Sequence, residues 1–174
     1  MKGMWAVYSI FISFLFPLSS VFLAPLFLLS CSSIDCPVQN TVATNYSIRD
    51  AEGNEVPLVD TLWIWTQRSD GKDTLLNSLT GKSTFTLPIS YSHPEDMLVF
   101  YVADTTGVHT VDTLWLKKDD IPHFESVDCS AHFFHRLTDV RFTRSRIDSV
   151  KIVSPRVDFD QTKTHLYVWF RKNE

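Results

Sequence analysis

With 174 residues, the chain has room for one ordinary domain and a short extension, and not for two independent cores. Hydrophobic residues make up 44% and charged residues 21%, with 13 Phe, 5 Trp and 5 Tyr, a composition that excludes a disordered or low-complexity protein. The net charge of −4 excludes a general nucleic-acid binder, because neutralising phosphates needs a basic surplus.

The first predicted element is an address. Lys2 precedes a run from Gly3 to Ser30 without an acidic residue, rich in Phe and Leu and ending in Leu28-Leu29-Ser30-Cys31. A basic start, an apolar stretch and a small residue before a cut are the marks of a secretory signal peptide. The run is long enough to span a bilayer. Pro17 and Pro25 argue against a permanent helix, since an interior proline removes a backbone hydrogen bond. Leu28–Cys31 resembles the lipobox of bacterial lipoproteins, which implies cleavage after Ser30 and acylation of Cys31. Residues 1–30 are then a lipoprotein signal peptide, 31–40 a lipid-anchored tether and 41–174 the folded domain. The residue after the anchor cysteine is Ser32 and not the Asp that resembles an inner-membrane retention signal in enteric bacteria, and Ser32–Asp35 lacks the acidic cluster that resembles a surface-export tag. The implied location is therefore the outer membrane, on its periplasmic face.

From residue 40 onward, short runs rich in Val, Ile, Thr, Phe, Tyr and Trp are broken by Gly, Pro, Asn and Asp, the rhythm of strands and turns. Leu58, Asp60, Leu62, Ile64 and Thr66 fall on one face of a strand, and Val59, Thr61, Trp63 and Trp65 on the other. Both faces are apolar, which predicts a central strand. Asp70-Gly71 turns the chain into a strand over 72–77, and Thr80-Gly81-Lys82 is the next break. Residues 83–89 alternate, with Pro88 marking an edge or a strand end. Strands over 97–103 and 108–116 flank Asp104-Thr105-Thr106-Gly107, a connection of hairpin length. Lys117–Pro122 reads as a break, followed by strands over 124–127, 131–142, 149–153 and 164–171. About nine strands at this spacing predict an all-β, single antiparallel β-sandwich, with an immunoglobulin-like arrangement as its candidate topology. Val59-Asp60-Thr61-Leu62-Trp63 recurs as Val111-Asp112-Thr113-Leu114-Trp115. The flanks diverge and no fixed period recurs, so the repeat reads as two strands of similar burial.

Spending Cys31 on lipid leaves Cys36 and Cys129 as one candidate disulfide, allowed in an oxidising compartment. It would close about 94 residues, worth roughly 4 to 5 kcal/mol if unstrained. The alternative is two separate thiols, because sequence cannot bring their Cα atoms together. His132 and His135 lie close to Cys129, but no cysteine-hydrolase signature surrounds them. On a strand their odd separation sends them to opposite faces, so no metal site is expected. Asp158-Phe159-Asp160 matches a calcium loop only in part. With no phosphate-cradling glycine loop and no nucleophile elbow, neither catalytic residues nor a cofactor are expected.

Two surfaces remain as binding candidates. Arg141, Arg144, Arg146 and Arg156 belong to a stretch, 136–156, that carries six basic and two acidic residues, a net of +4. Converging, they would form a basic patch for an acidic glycan, a lipid phosphate or a partner loop. Trp63, Trp65, Trp115 and Trp169 fit a sugar-stacking platform, although tryptophans in a domain this size are more often core.

Cys31, Cys36, Thr86-Leu87-Pro88-Ile89, Cys129, the run Ile147–Val157 and the closing His165-Leu166-Tyr167-Val168 together resemble a family of uncharacterised small lipoproteins of Bacteroidota. The resemblance covers most of the mature chain and rests on packing and turn patterns. It implies no active site to transfer. The expected function is a non-catalytic binding or interaction module of the cell envelope, tethered to the membrane by its lipid and serving an envelope protein partner. The alternative is a glycan- or lipid-binding protein that uses exposed aromatics or the basic patch.

Overall fold

The computed structural model describes residues 42–124, 129 and 132–171. The chain divides into Met1–Asp35 and Cys36–Glu174, and every described residue belongs to the second unit. The expected signal peptide, Cys31, Cys36, the tether and most of the strand expected over 124–127 lie outside the described residues.

The described residues contain no helix and form a β-sandwich. Its strands are β1 (Ala43–Arg49), β2 (Thr61–Arg68), β3 (Gly71–Leu79), β4 (Thr84–Pro88), β5 (Glu95–Ala103), β6 (His109–His123), β7 (His132–Phe142), β8 (Ile147–Ile152), β9 (Arg156–Val157) and β10 (Leu166–Phe170). One sheet runs β4-β1-β10-β8 and the other β3-β2-β5-β6-β7-β9. An immunoglobulin constant domain splits seven strands as four and three; here the sheets carry four and six. β1 and β10 are parallel neighbours, while the other strand pairs are antiparallel.

Alternation along the strands builds the core. Leu62 and Ile64 of β2, Leu98, Phe100 and Val102 of β5, and Leu114 and Leu116 of β6 are all buried and meet Tyr46, Ile48, Leu87, Leu166 and Val168. Tyr46 stacks on Phe85 at 4.7 Å, and Phe85 meets Phe100 edge-on at 6.4 Å. Burying each such side chain contributes about 1.5–3 kcal/mol before conformational entropy is counted. Pro88 ends β4, an edge strand, where its missing N–H breaks no ladder. The β5–β6 turn depends on Gly107 at φ 87°, with the Asp104 carboxylate accepting from the N–H groups of Thr106 and Val108.

One expected break is absent. Lys117–Pro122 continues β6, which pairs with β7 from Leu114 to His123 and absorbs a register shift between Lys117 and Lys118. Four consecutive charged residues, Lys117–Asp120, before Ile121-Pro122 carry a loop signal in sequence, yet tertiary pairing overrides it. The result is a β6–β7 arm that runs past the last β5 pair, Glu95 with Lys117.

Candidate functional site

The outward face of the six-stranded sheet collects the aromatic residues. On β2, β5 and β6 the even-numbered residues point into the core, so Trp63, Trp65, Val99, Tyr101, Val111, Thr113 and Trp115 point away from it. The register aligns them in rows across the sheet. Trp63 faces Tyr101, which faces Val111; Trp65 faces Val99, which faces Thr113; Met97 faces Trp115, which faces Arg141. Trp63 meets Tyr101 edge-on at 5.6 Å, and Tyr101 stacks with His109 at 5.1 Å.

Cations border this face. Lys72 Nζ lies 3.4 Å from the centroid of the Trp65 ring, and the Arg141 guanidinium lies 5.2 Å from that of Trp115. Arg141 also donates to both carboxylate oxygens of Glu95 at 2.9 Å. Trp169 lies on the other sheet, where its indole N–H donates to the Asp50 carbonyl at 2.7 Å. None of these four tryptophans joins the buried core; the usual expectation of core placement fails because their strands bury leucine and isoleucine on the opposite parity.

The four arginines have different fates. Arg146 is buried and ion-paired with Asp60, so it is not part of an exposed patch. Arg156 pairs with Asp158 at 3.0 Å, Arg141 pairs with Glu95, and exposed Arg144 lies over the Phe142 ring at 5.4 Å. The convergent basic patch therefore lacks one expected member and has two others matched by acids.

The repeated pentapeptide acquires a structural role. In both copies the valine is exposed, the aspartate buried, the leucine buried and the tryptophan half-buried. Asp60 takes the Arg146 side chain, while Asp112 accepts from the Thr143 hydroxyl at 2.6 Å and from the N–H groups of Ser145, Arg146 and Ile147 at 2.6–2.8 Å. Burial pushes the Asp112 carboxyl up, and these four donors outweigh it, holding the group below the usual carboxylate range. Both aspartates thus hold one loop, 143–147.

A second buried ionic cluster has no counterpart in the sequence reading. Lys118, its side chain wholly buried, lies 3.1 Å from Asp96 Oδ1 and donates to the His93 carbonyl at 2.6 Å. Asp96 in turn accepts from the Ser90 hydroxyl at 2.6 Å and the Ser90 N–H at 3.1 Å. Nearby, His135 Nδ1 lies 2.7 Å from Asp120 Oδ1. Burial pushes the His135 ring down, outweighing the upward pull of Asp120. The contact pairs place His132 on the opposite face of β7, where it meets Phe159. The signal that could have marked Lys118 is its even-numbered place in the β6 alternation.

Asp158 and Asp160 are engaged by Arg156 and Lys163. Among the described residues no group of three or more His, Cys, Asp or Glu is arranged to hold a metal ion. Cys129 is half-buried, and Cys36, its candidate partner, lies outside the described residues. A polar hollow of about 330 Å3 at the β2–β3 turn is lined by Arg68, Asp70, Gly71, Lys72 and Asp73, with Arg68 held between Asp70 and Asp73.

No curated protein and no solved structure matches the chain. A family model described as a family of unknown function (DUF6452) matches residues 61–170, from the first residue of β2 to the last of β10. The match takes in the second copy of the repeated pentapeptide and residues 61–63 of the first, together with the aromatic face and the Lys118 cluster, and the chain belongs to this family of unknown function, DUF6452.

Proposed function

We propose that the protein is a lipoprotein of the Bacteroidota envelope, anchored through Cys31 to the periplasmic face of the outer membrane and acting as a non-catalytic interaction module. Cys36 and Cys129 form its disulfide in this reading, with the oxidising compartment and the even count left after lipidation as support. The observation that carries the binding role is the aromatic and aliphatic array of Trp63, Trp65, Val99, Tyr101, Val111 and Trp115 on the outward sheet face. Such residues are enriched where proteins bury surface against a partner. A protein partner fits this face better than a glycan does, because Lys72 and Arg141 already compete for the ring faces of Trp65 and Trp115.

The test is in-cell crosslinking of a C-terminally tagged chain, with Val111→Glu and Thr113→Lys as variants on the outward face. A near-stoichiometric envelope protein captured by the parent chain and lost from both variants, at unchanged unfolding midpoints, supports the reading. Capture of the same proteins by parent and variants, or of none, overturns it.

A further inference from the structure

Between β8 and β10 the chain crosses the sandwich and comes back. Residues 154–164 leave β8 in the four-stranded sheet, add β9 to the edge of the six-stranded sheet, and return to β10, the neighbour of β8. β9 is held to β7 by two register pairs, His135 with Val157 and Arg136 with Arg156, and by the Leu137 N–H donating to the Pro155 carbonyl at 2.8 Å. Phe159 then packs edge-on against Phe134 at 5.0 Å. So short an edge ladder belongs to the low-stability end of a fold.

His165 closes the base of this strap. The Val153 and Ser154 N–H groups donate to the His165 carbonyl at 2.9 and 3.3 Å. The His165 N–H donates to the Asn45 carbonyl at 2.8 Å, and the Asn45 N–H donates to His165 Nδ1 at 3.0 Å. Nδ1 is therefore unprotonated, because an imidazolium has two donors and no acceptor. Asn45 Nδ2 donates to the Gln161 and Lys163 carbonyls at 2.9 Å, so one β1 residue holds both the strap and its closing ring. Four of the chain's six histidines lie against the strap. His135 is buried opposite Val157, His165 closes the base, and His123 and His132 meet Phe159 at 6.4 and 5.9 Å.

We propose that residues 154–164 are a strap that opens in mild acid, released when His135 and His165 take up protons. The charged groups facing His165 belong to the strap itself. Asp158, Asp160 and the Arg156 carbonyl favour the protonated ring, Lys163 opposes it, and burial outweighs them all. β1 and β8 face it with Asn45, Val153 and Ser154, which carry no charge. Facing His135 from β6 and β5, Asp120 and Asp96 favour the protonated ring and Lys118 opposes it, while β9 supplies Val157 beside Arg156; burial is again the largest influence. Opening removes that burial and leaves Asp120 in place on β6, so the open state takes the proton more readily than the closed one. For His165, protonation also forfeits the Asn45 bond and sets one N–H against another. Asp158 and Asp160 are held below the usual carboxylate range and stay ionised above about pH 4, so the rings are what change charge. The opening constant is flat above about pH 6.5 and rises below it, approaching tenfold per pH unit for each ring until the closed-state values are reached.

The experiment is hydrogen exchange of the full chain in detergent, followed amide by amide at pH 7.5 and 5.5 and corrected for the intrinsic pH dependence of exchange. Protection of the Asn45, Leu137 and Val153 amides should fall by about tenfold or more, while that of Phe100 and Leu114 in the β5–β6 ladder holds. His135→Gln and His165→Gln, whose side chains do not titrate, should each remove part of the fall. Unchanged protection at the strap amides, or an equal fall at Phe100 and Leu114, overturns the proposal. So does a selective fall that persists undiminished in the double variant. The comparison of the two amide sets within the parent chain decides even where a variant fails to fold.

Discussion

Both ends of the sandwich bury charge, in different ways. At the end that holds the 104–108 turn, Asp60 and Asp112 fasten loop 143–147, mostly through backbone N–H groups that any sequence would supply. At the arm end, Lys118 fastens the 89–94 loop through its own ammonium, with His93, Ser90 and Asp96 as partners. In the first arrangement Asp112 spreads its carboxylate over four donors, beside the single buried pair of Asp60 with Arg146. The second concentrates a full charge in one side chain, so removing that side chain leaves a buried carboxylate without its counter-charge. Tolerance should differ accordingly.

The largest expected effect is therefore at Lys118. Lys118→Ala should lower stability by about 3–5 kcal/mol, the usual cost of breaking a buried ion pair from one side. Denaturant unfolding measures it, and a loss within the range of a surface substitution would show that the pair is solvated. Asp112→Ala comes next, at about 2–3 kcal/mol, because it leaves several donors unsatisfied while water can reach the exposed Ser145. If Asp112→Ala cost more than Lys118→Ala, distributed donors would be the stronger fastening and the contrast would be reversed.

Acid separates the two ends by pH. The His135 and His165 rings are both pushed down by burial. Each stays neutral in the folded chain while the unfolded chain takes up a proton below about pH 6.5, so stability is intact above that value and falls as pH drops towards the folded values. Asp112 has the opposite charge change but the same direction of effect: its carboxyl is held low, so its contribution persists until pH falls below about 4, the unfolded value. The unfolding midpoint should decline in two stages, and His135→Gln should flatten the first without altering the second. A midpoint independent of pH between 7 and 5 would mean that neither ring is held neutral.

Much of this architecture is legible in the sequence. Alternation locates β2, β5 and the first half of β6, and Pro88, read as an edge or a strand end, is the last residue of an edge strand. The pentapeptide repeat forecast equal burial of its two copies, but not their shared loop, since contacts between residues 60, 112 and 146 depend on strand order. Lys118 was hidden because a run of Lys-Lys-Asp-Asp before Ile-Pro has the composition of a turn, and only pairing with β7 makes it a strand. The tryptophans were ambiguous for the converse reason. Both faces of β2 are apolar, and alternation separates two faces without saying which one meets the other sheet.

The smallest effect decides what the aromatic face is for. Lys72 lies over Trp65 at an exposed position of β3, where a cation–π contact is worth about 0.5–1 kcal/mol. Lys72→Ala should therefore cost no more than about 1 kcal/mol, and it uncovers the Trp65 ring. If the face serves a protein partner, capture of that partner should improve, because a hydrated ammonium no longer has to be displaced. If the face serves only to knit the sheet, stability falls by that small amount and capture does not respond. Measuring both on the same variant separates a surface kept aromatic for binding from one kept aromatic for cross-strand packing.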